Sequence, residues 1–104
     1  MYNTGVRYTW DEDKAIKVRK DHGVDFAHII DIFDDPYAVE FVDEAHSTET
    51  ETRYAIIALT AAYGLAHLVF TEDVAEGAIE LHFITARRAE LWMVEEYEEN
   101  KRRQ

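Results

Sequence analysis

The segment that decides the fold is residues 53–85, "RYAIIALTAAYGLAHLVFTEDVAEGAIELHFIT". It holds three apolar runs rich in β-branched and aromatic residues, and the breaks between them contain Gly64 and Gly77. Such runs with glycine between them are typical of strands joined by hairpin loops. We predict three consecutive antiparallel strands at 53–60, 65–71 and 78–85. The core residues expected from them are Ile57, Leu59, Leu68, Phe70, Leu81 and Phe83.

The chain before this segment predicts one strand and two helices. Residues 6–10, "VRYTW", alternate apolar and polar side chains as a short strand does. Asp11 is a good helix-capping residue, and Gly23 suits the left-handed end of the helix that follows. A second helix is predicted from Asp25 until Pro36 ends it. Its apolar face would consist of Phe26, Ile29, Ile30 and Phe33.

The remaining segments complete an α+β pattern. Residues 37–42, "YAVEFV", predict a strand, and the polar residues 43–52, "DEAHSTETET", predict a loop. A last helix is predicted from Ala86 onward. The element order is then β-α-α-β-β-β-β-α. We predict one α+β domain over residues 1–104, with helices covering one side of an antiparallel sheet.

Composition and charge exclude several classes of function. The chain has 22 acidic residues against 11 Lys and Arg, a net charge of −11, which opposes unaided binding to RNA or DNA. It has no cysteine, so disulfides, thiolate metal sites and a cysteine nucleophile are excluded. Its five histidines lack the spacing of metal ligands, and no cofactor is predicted. No apolar run approaches the roughly 18 residues of a spanning helix, and "MYNTGVRYTW" lacks a secretory apolar region. We expect a cytoplasmic protein without membrane contact.

Five motifs carry a resemblance to a known family. They occur in the order "YTWDEDKA" (8–15), "HGVDFAHIIDIFDDP" (22–36), "RYAIIA" (53–58), "LVFT" (68–71) and "FITARRA" (83–89), with Tyr97 after them. Together they resemble the BrnT family of type II toxins, which have a RelE-like fold. The resemblance implies a ribonuclease that cleaves messenger RNA and inhibits translation. It also implies neutralisation by a BrnA-like antitoxin, and contact with DNA only through that antitoxin.

The resemblance and the chemistry of RNA cleavage together nominate six site residues. Cleavage through a 2′-hydroxyl needs a base, charge at the phosphate and an acid. Arginine binds phosphate oxygens through two parallel bonds, and histidine titrates near neutral pH. We predict catalytic roles for Arg53, Arg87 and His22, and RNA contacts for Lys14, Arg88 and Thr85. Arg87 is expected to begin the last helix with its side chain near Arg53.

Each of these residues also has a simpler interpretation. The arginines could pair with the abundant acids, His22 could satisfy the end of a helix, and Lys14 could be solvated. The chain also departs from the family pattern by losing positive charge, at Asp21, Asp73, His82 and the acidic segment "LWMVEE" (91–96). An alternative function follows: a catalytically inactive, acidic interaction protein that acts as an inhibitor or nucleic-acid mimic. Monomer and homodimer both stay open.

Overall fold

The computed structural model describes residues 5–104; residues 1–4 of the polar N-terminal segment lie outside the described residues. The α+β prediction is confirmed, and the order of elements follows the prediction closely. The strands are β1 (Val6–Trp10), β2 (Val39–Val42), β3 (Tyr54–Thr60), β4 (Gly64–Ala75) and β5 (Ala78–Arg88). The helices are α1 (Glu12–His22) and α2 (Leu91–Arg102), with two 3-10 turns at Phe26–His28 and Ile30–Asp34.

The five strands form one mixed sheet in the order β1-β5-β4-β3-β2. Strands β2 to β5 are an antiparallel meander, which confirms the three consecutive strands predicted from the glycine-separated runs. β1 pairs in parallel with β5, so the expectation of a purely antiparallel sheet is wrong. The parallel pair arises because the chain leaves β1 through α1 and returns to the sheet at the opposite edge, β2. Only the last strand of the meander, β5, lies beside β1.

Helices cover both faces of the sheet, which corrects the prediction of one covered side. The first face packs against α1 and the 3-10 turns around Phe83, whose ring lies within about 6 Å of four other aromatic rings. The second face packs against α2, where Met93 and Tyr97 meet Ile57. Adjacent residues of β3 therefore enter two separate cores. Leu59 is 56% exposed, so its predicted core role is wrong, whereas the other five predicted core residues are buried.

The second predicted helix is replaced by the two 3-10 turns. Its fully buried side chains are Phe26, Ile29 and Ile32, which are spaced by three residues. That spacing matches the three residues per turn of a 3-10 helix, whereas an α-helix would rotate them away from one line. Asp25 still caps the first turn, since its carboxylate accepts the N–H of Ala27 at 3.0 Å. The three buried side chains therefore fit the repeat of the 3-10 turns.

The last strand extends further than predicted, and α2 begins later. The sequence predicts Ala86 to lie in the helix, but it is fully buried in β5 and pairs with Leu68 of β4. Arg87 and Arg88 belong to the same strand, so the prediction that Arg87 begins the helix is wrong. The helix starts at Leu91, after Glu90 as its N-cap. Strand pairing continues because β4 begins at Gly64 and offers backbone partners up to this point.

A β-bulge near the middle of β5 decides which way its side chains point. Val69 pairs with Thr85 and Phe70 pairs with Phe83, so Ile84 is an extra residue without its own partner on β4. An extra residue reverses the alternation of side chains after it. As a result Ala86 and Arg88 lie on the first face with Phe83, whereas Arg87 lies on the second face.

Candidate functional site

A groove between α1 and β5 gathers three of the predicted site residues. Lys14, His22 and Thr85 line one cavity of about 290 Å³, together with Lys17 and Asp21. β1 ends at Trp10, opposite Phe83 of β5. Beyond Phe83, the edge of β5 away from β4 has no strand beside it in the part of the chain described, and the groove forms there between β5 and α1. Lys17 and Asp21, both on α1, form an exposed ion pair at 3.0 Å in the wall of the groove. That pair holds the pKa of the Asp21 carboxyl below its usual value.

Arg88 lies close to the end of this groove. Its guanidinium carbon is 5.4 Å from the centre of the Tyr63 ring, a cation–π contact. The same guanidinium reaches Gly23, where a Cβ would lie 3.9 Å from Nη1. Gly23 is the left-handed cap of α1, with φ of 69°, as predicted. Within residues 5–104, neither Arg88 nor Lys14 forms an ion pair with a carboxylate. Their positive charge is therefore available to an anion.

Arg87 lies on the other face of the sheet, beside residues that the sequence pattern did not single out. Its Nη2 is 2.7 Å from Oε1 of Glu90, and both side chains are about half exposed. Its direct cross-strand neighbour on β4 is His67. Two adjacent arginines at a helix start would oppose the partial positive charge there, and the Glu90 carboxylate offsets that repulsion. The carboxylate predicted as a rival to phosphate is thus present.

Arg53 lies on the second face as well, but not next to Arg87. It precedes Ile57 by four residues, and Ile57 lies across β4 from Arg87, opposite His67. At about 3.3 Å per residue and 4.8 Å per strand, the two arginine Cα atoms are about 16 Å apart. Arg53 Nε instead contacts Oε1 of Glu51 at 3.1 Å. The two arginines share a face, and each contacts its own carboxylate.

His67 is the ionisable residue that sequence reasoning missed. It is partly buried, and burial and the Arg87 charge both lower its pKa from 6.5, whereas Asp43 and Glu90 act in the opposite direction. The β2–β3 loop also brings His46 near, with Nδ1 2.8 Å from the Asp43 carboxylate. A histidine in an apolar strand was the only signal in the sequence. No set of three or more such side chains within residues 5–104 is arranged to hold a metal ion.

Several of the abundant acids have structural roles instead. Asp35 accepts hydrogen bonds from the Leu59 N–H at 2.9 Å and the Tyr97 hydroxyl at 2.7 Å. Burial opposes ionisation of Asp35, but these hydrogen bonds outweigh it and lower the pKa of the Asp35 carboxyl. Asp31 accepts the Ala61 N–H at 2.8 Å. These carboxylates fasten the second 3-10 turn to the end of β3, so part of the negative charge stabilises the fold.

Comparison with known families gives a match over most of the chain. Residues 10–91, more than three quarters of the chain, match the family described as "Ribonuclease toxin, BrnT, of type II toxin-antitoxin system". The chain belongs to the BrnT family. The family consists of ribonuclease toxins of type II toxin-antitoxin systems, and such systems include an antitoxin partner. No curated protein matches the chain in sequence. Residues 5–104 contain no helix with the length and hydropathy needed to cross a membrane.

Proposed function

We propose that this protein is an endoribonuclease toxin that cleaves messenger RNA, inhibits translation in the cytoplasm, and is neutralised by a BrnA-like antitoxin. One observation carries the proposal: residues 85–88 at the end of β5 present polar and cationic side chains to both faces of the sheet. RNA would cross this strand end, with Arg87 on the second face and the α1–β5 groove on the first. No cofactor is needed for cleavage through a 2′-hydroxyl.

Local positive charge supports RNA binding despite the net charge of −11. Lys14, Arg88 and Thr85 would contact the RNA backbone at the α1–β5 groove. The ion pairs of Arg87 and Arg53 are partly exposed to solvent, and exposed pairs contribute only about 0–1 kcal/mol. A phosphate group, which offers bidentate bonds to a guanidinium, can therefore displace the glutamates at small cost. Of the three residues predicted to be catalytic, Arg87 and Arg53 lie on the second face and would each bind a phosphate of the RNA. His22 lies in the α1–β5 groove on the first face and would contact the RNA there.

The test is to express the protein alone in a bacterium and to follow growth and messenger RNA integrity. Growth arrest with fragmented messenger RNA is the expected result. Purified protein should cleave an RNA oligonucleotide and leave the same sequence with 2′-deoxyribose intact, because the 2′-hydroxyl is the nucleophile. Coexpression with the antitoxin should restore growth. Unchanged growth together with intact RNA in both assays would contradict the proposal.

A second candidate function is supported by a specific observation. Both Arg53 and Arg87 are already paired with glutamates, and α2 carries exposed acids at Glu95, Glu96 and Glu99. A catalytically inactive, acidic interaction protein, such as an inhibitor that mimics nucleic acid, would have these features. In that case the protein leaves RNA intact, and it competes with nucleic acid for a basic protein in a salt-dependent way. Cleavage of the RNA oligonucleotide separates the two functions.

A further inference from the structure

His67 lies directly across from Arg87 on the second face of the sheet, and the charges of Glu90, Asp43 and His46 act on its imidazole. We call these five residues the His67 cluster. Arg87 and Glu90 approach from β5 and the start of α2, and Asp43 and His46 approach from the β2–β3 loop. Direct cross-strand neighbours such as His67 and Arg87 have Cα atoms about 4.5–5.5 Å apart. The cluster members come from three stretches that are distant in the sequence: residues 43–46, residue 67 and residues 87–90.

The cluster is held in place by the fold. Thr48 and Glu51 of the β2–β3 loop are joined by a backbone hydrogen bond of 2.8 Å, and the Asp43 N–H donates to the Arg53 carbonyl at 2.8 Å. Glu90 is fixed as the helix N-cap, since its carbonyl accepts the N–H groups of Met93 and Val94 at 3.0 and 3.1 Å. His67 itself lies in β4, where it is paired with Ile57 of β3 on one side and Arg87 of β5 on the other. Rigid elements of this kind position catalytic groups better than loops alone.

We infer that His67 is a catalytic general base in RNA cleavage, acting on a phosphodiester whose phosphate is bound by Arg87. The inference rests on the proposed function and deepens it by naming the group that takes the proton. Among the five histidines, His67 is the one with a direct strand neighbour able to bind phosphate. His82 instead contacts the Thr9 hydroxyl at 2.9 Å, and His22 lies at the exposed end of α1.

Partial burial beside Arg87 lowers the pKa of His67, so its imidazole is neutral at pH 7. A neutral imidazole accepts a proton, whereas an imidazolium cannot. Arg87 and His46 favour this neutral form, and Asp43 and Glu90 oppose it without reversing the result. The cluster therefore sets His67 for proton removal, while Arg87 supplies the positive charge for the phosphate.

The reaction step balances without a metal or cofactor. His67 takes the proton of the 2′-hydroxyl as its oxygen forms a bond to phosphorus. The bond from phosphorus to the 5′-oxygen breaks, and that oxygen takes a proton from water. His67 then returns its proton to the hydroxide so produced. The products are a 2′,3′-cyclic phosphate and a 5′-hydroxyl end, and Arg87 stabilises the charge on the phosphate oxygens throughout.

The test compares His67→Asn and His67→Gln with the control His28→Asn in single-turnover cleavage of an RNA oligonucleotide. His28 is exposed on the first 3-10 turn and takes no part in the proposed site. General base catalysis contributes about 10²–10⁴-fold, so both His67 variants should lose a rate factor in that range. The control should cleave at the wild-type rate. Thermal unfolding of each variant checks that it is folded.

The pH profile distinguishes a base from a structural residue. The wild-type rate should fall as acid protonates His67, at a pH below its ordinary value of 6.5, and the acid limb should vanish from the residual activity of His67→Gln. If a folded His67 variant cleaves at the wild-type rate, or keeps the same acid limb, the role of His67 is refuted while the proposed function stands. If wild-type protein does not cleave RNA at all, the proposed function fails, and the base role of His67 fails with it.

Discussion

Replacing Arg87 with alanine tests whether this side chain serves catalysis or the fold. Its only ion pair within the described residues joins two half-exposed side chains, Arg87 and Glu90. Such a pair contributes at most about 1 kcal/mol, which is small against the roughly 5–15 kcal/mol stability of a typical domain. Arg87→Ala should therefore remain folded, with a melting temperature lower by at most about 4–8 °C.

The expected loss of activity is much larger. If Arg87 donates to the phosphate in the transition state, its removal should lower kcat by about 10²–10³-fold, or about 2.7–4 kcal/mol. Arg87→Lys should recover only part of the rate, because lysine keeps the charge but lacks the planar fork. The assay is cleavage of an RNA oligonucleotide, accompanied by growth of cells that express each variant.

Arg102→Ala is the matched control, since Arg102 pairs with Glu99 at the same i, i+3 spacing and lies at the far end of α2. It removes one arginine and one surface ion pair without touching the proposed site, so toxicity and rate should be unchanged. A difference between the two variants would therefore reflect the position of Arg87 and not the loss of one positive charge. A stable Arg87→Ala protein with full cleavage activity would refute the phosphate-binding role.

Three further predictions concern stability and partner binding. Tyr97→Phe removes a buried hydrogen bond to the Asp35 carboxylate, so unfolding should need about 1.5–3 kcal/mol less free energy in a denaturant titration. Burial and Asp35 raise the pKa of Tyr97 from 10.0 to about 12. The stability that the Tyr97 hydroxyl contributes is therefore complete below pH 10 and is lost as pH rises through 12. Titration of the Tyr97 phenol near pH 10 would contradict this. Glu76→Asn should raise the melting temperature slightly, since Glu76 and Gly77 form a two-residue turn with φ of 51° and 77°, and Asn-Gly is preferred there; a lower value would argue against that turn. Because this chain is acidic, we expect its antitoxin to bind through a basic or an apolar surface of the antitoxin. If that surface is basic, the affinity of the complex should fall between about 50 mM and 500 mM salt, whereas unchanged affinity would contradict a charge-dominated interface.

Much of the fold follows from local signals in the sequence. Asp11 and Gly23 bound α1 because a carboxylate can cap the first turn and glycine adopts φ of 69° without strain. Gly64 and Gly77 mark the two hairpins of the meander, where φ is again positive. These signals depend on a few neighbouring residues, so they can be read without knowledge of the tertiary structure. The family motifs add the six candidate residues in the same way.

The arrangement of the site depends on contacts between distant segments. The bulge at Ile84 moves Arg87 to the second face and Arg88 to the first, and nothing in the pattern around "FITARRA" marks the extra residue. His67 gains Arg87 as its neighbour only through the pairing of β4 with β5, and the charges of Asp43, His46 and Glu90 act on it only in the folded chain. Sequence by itself determined the strands of the meander and the two capping residues of α1. Tertiary structure decided which face each arginine occupies, because strand register and burial on two faces are set by pairing across the whole sheet.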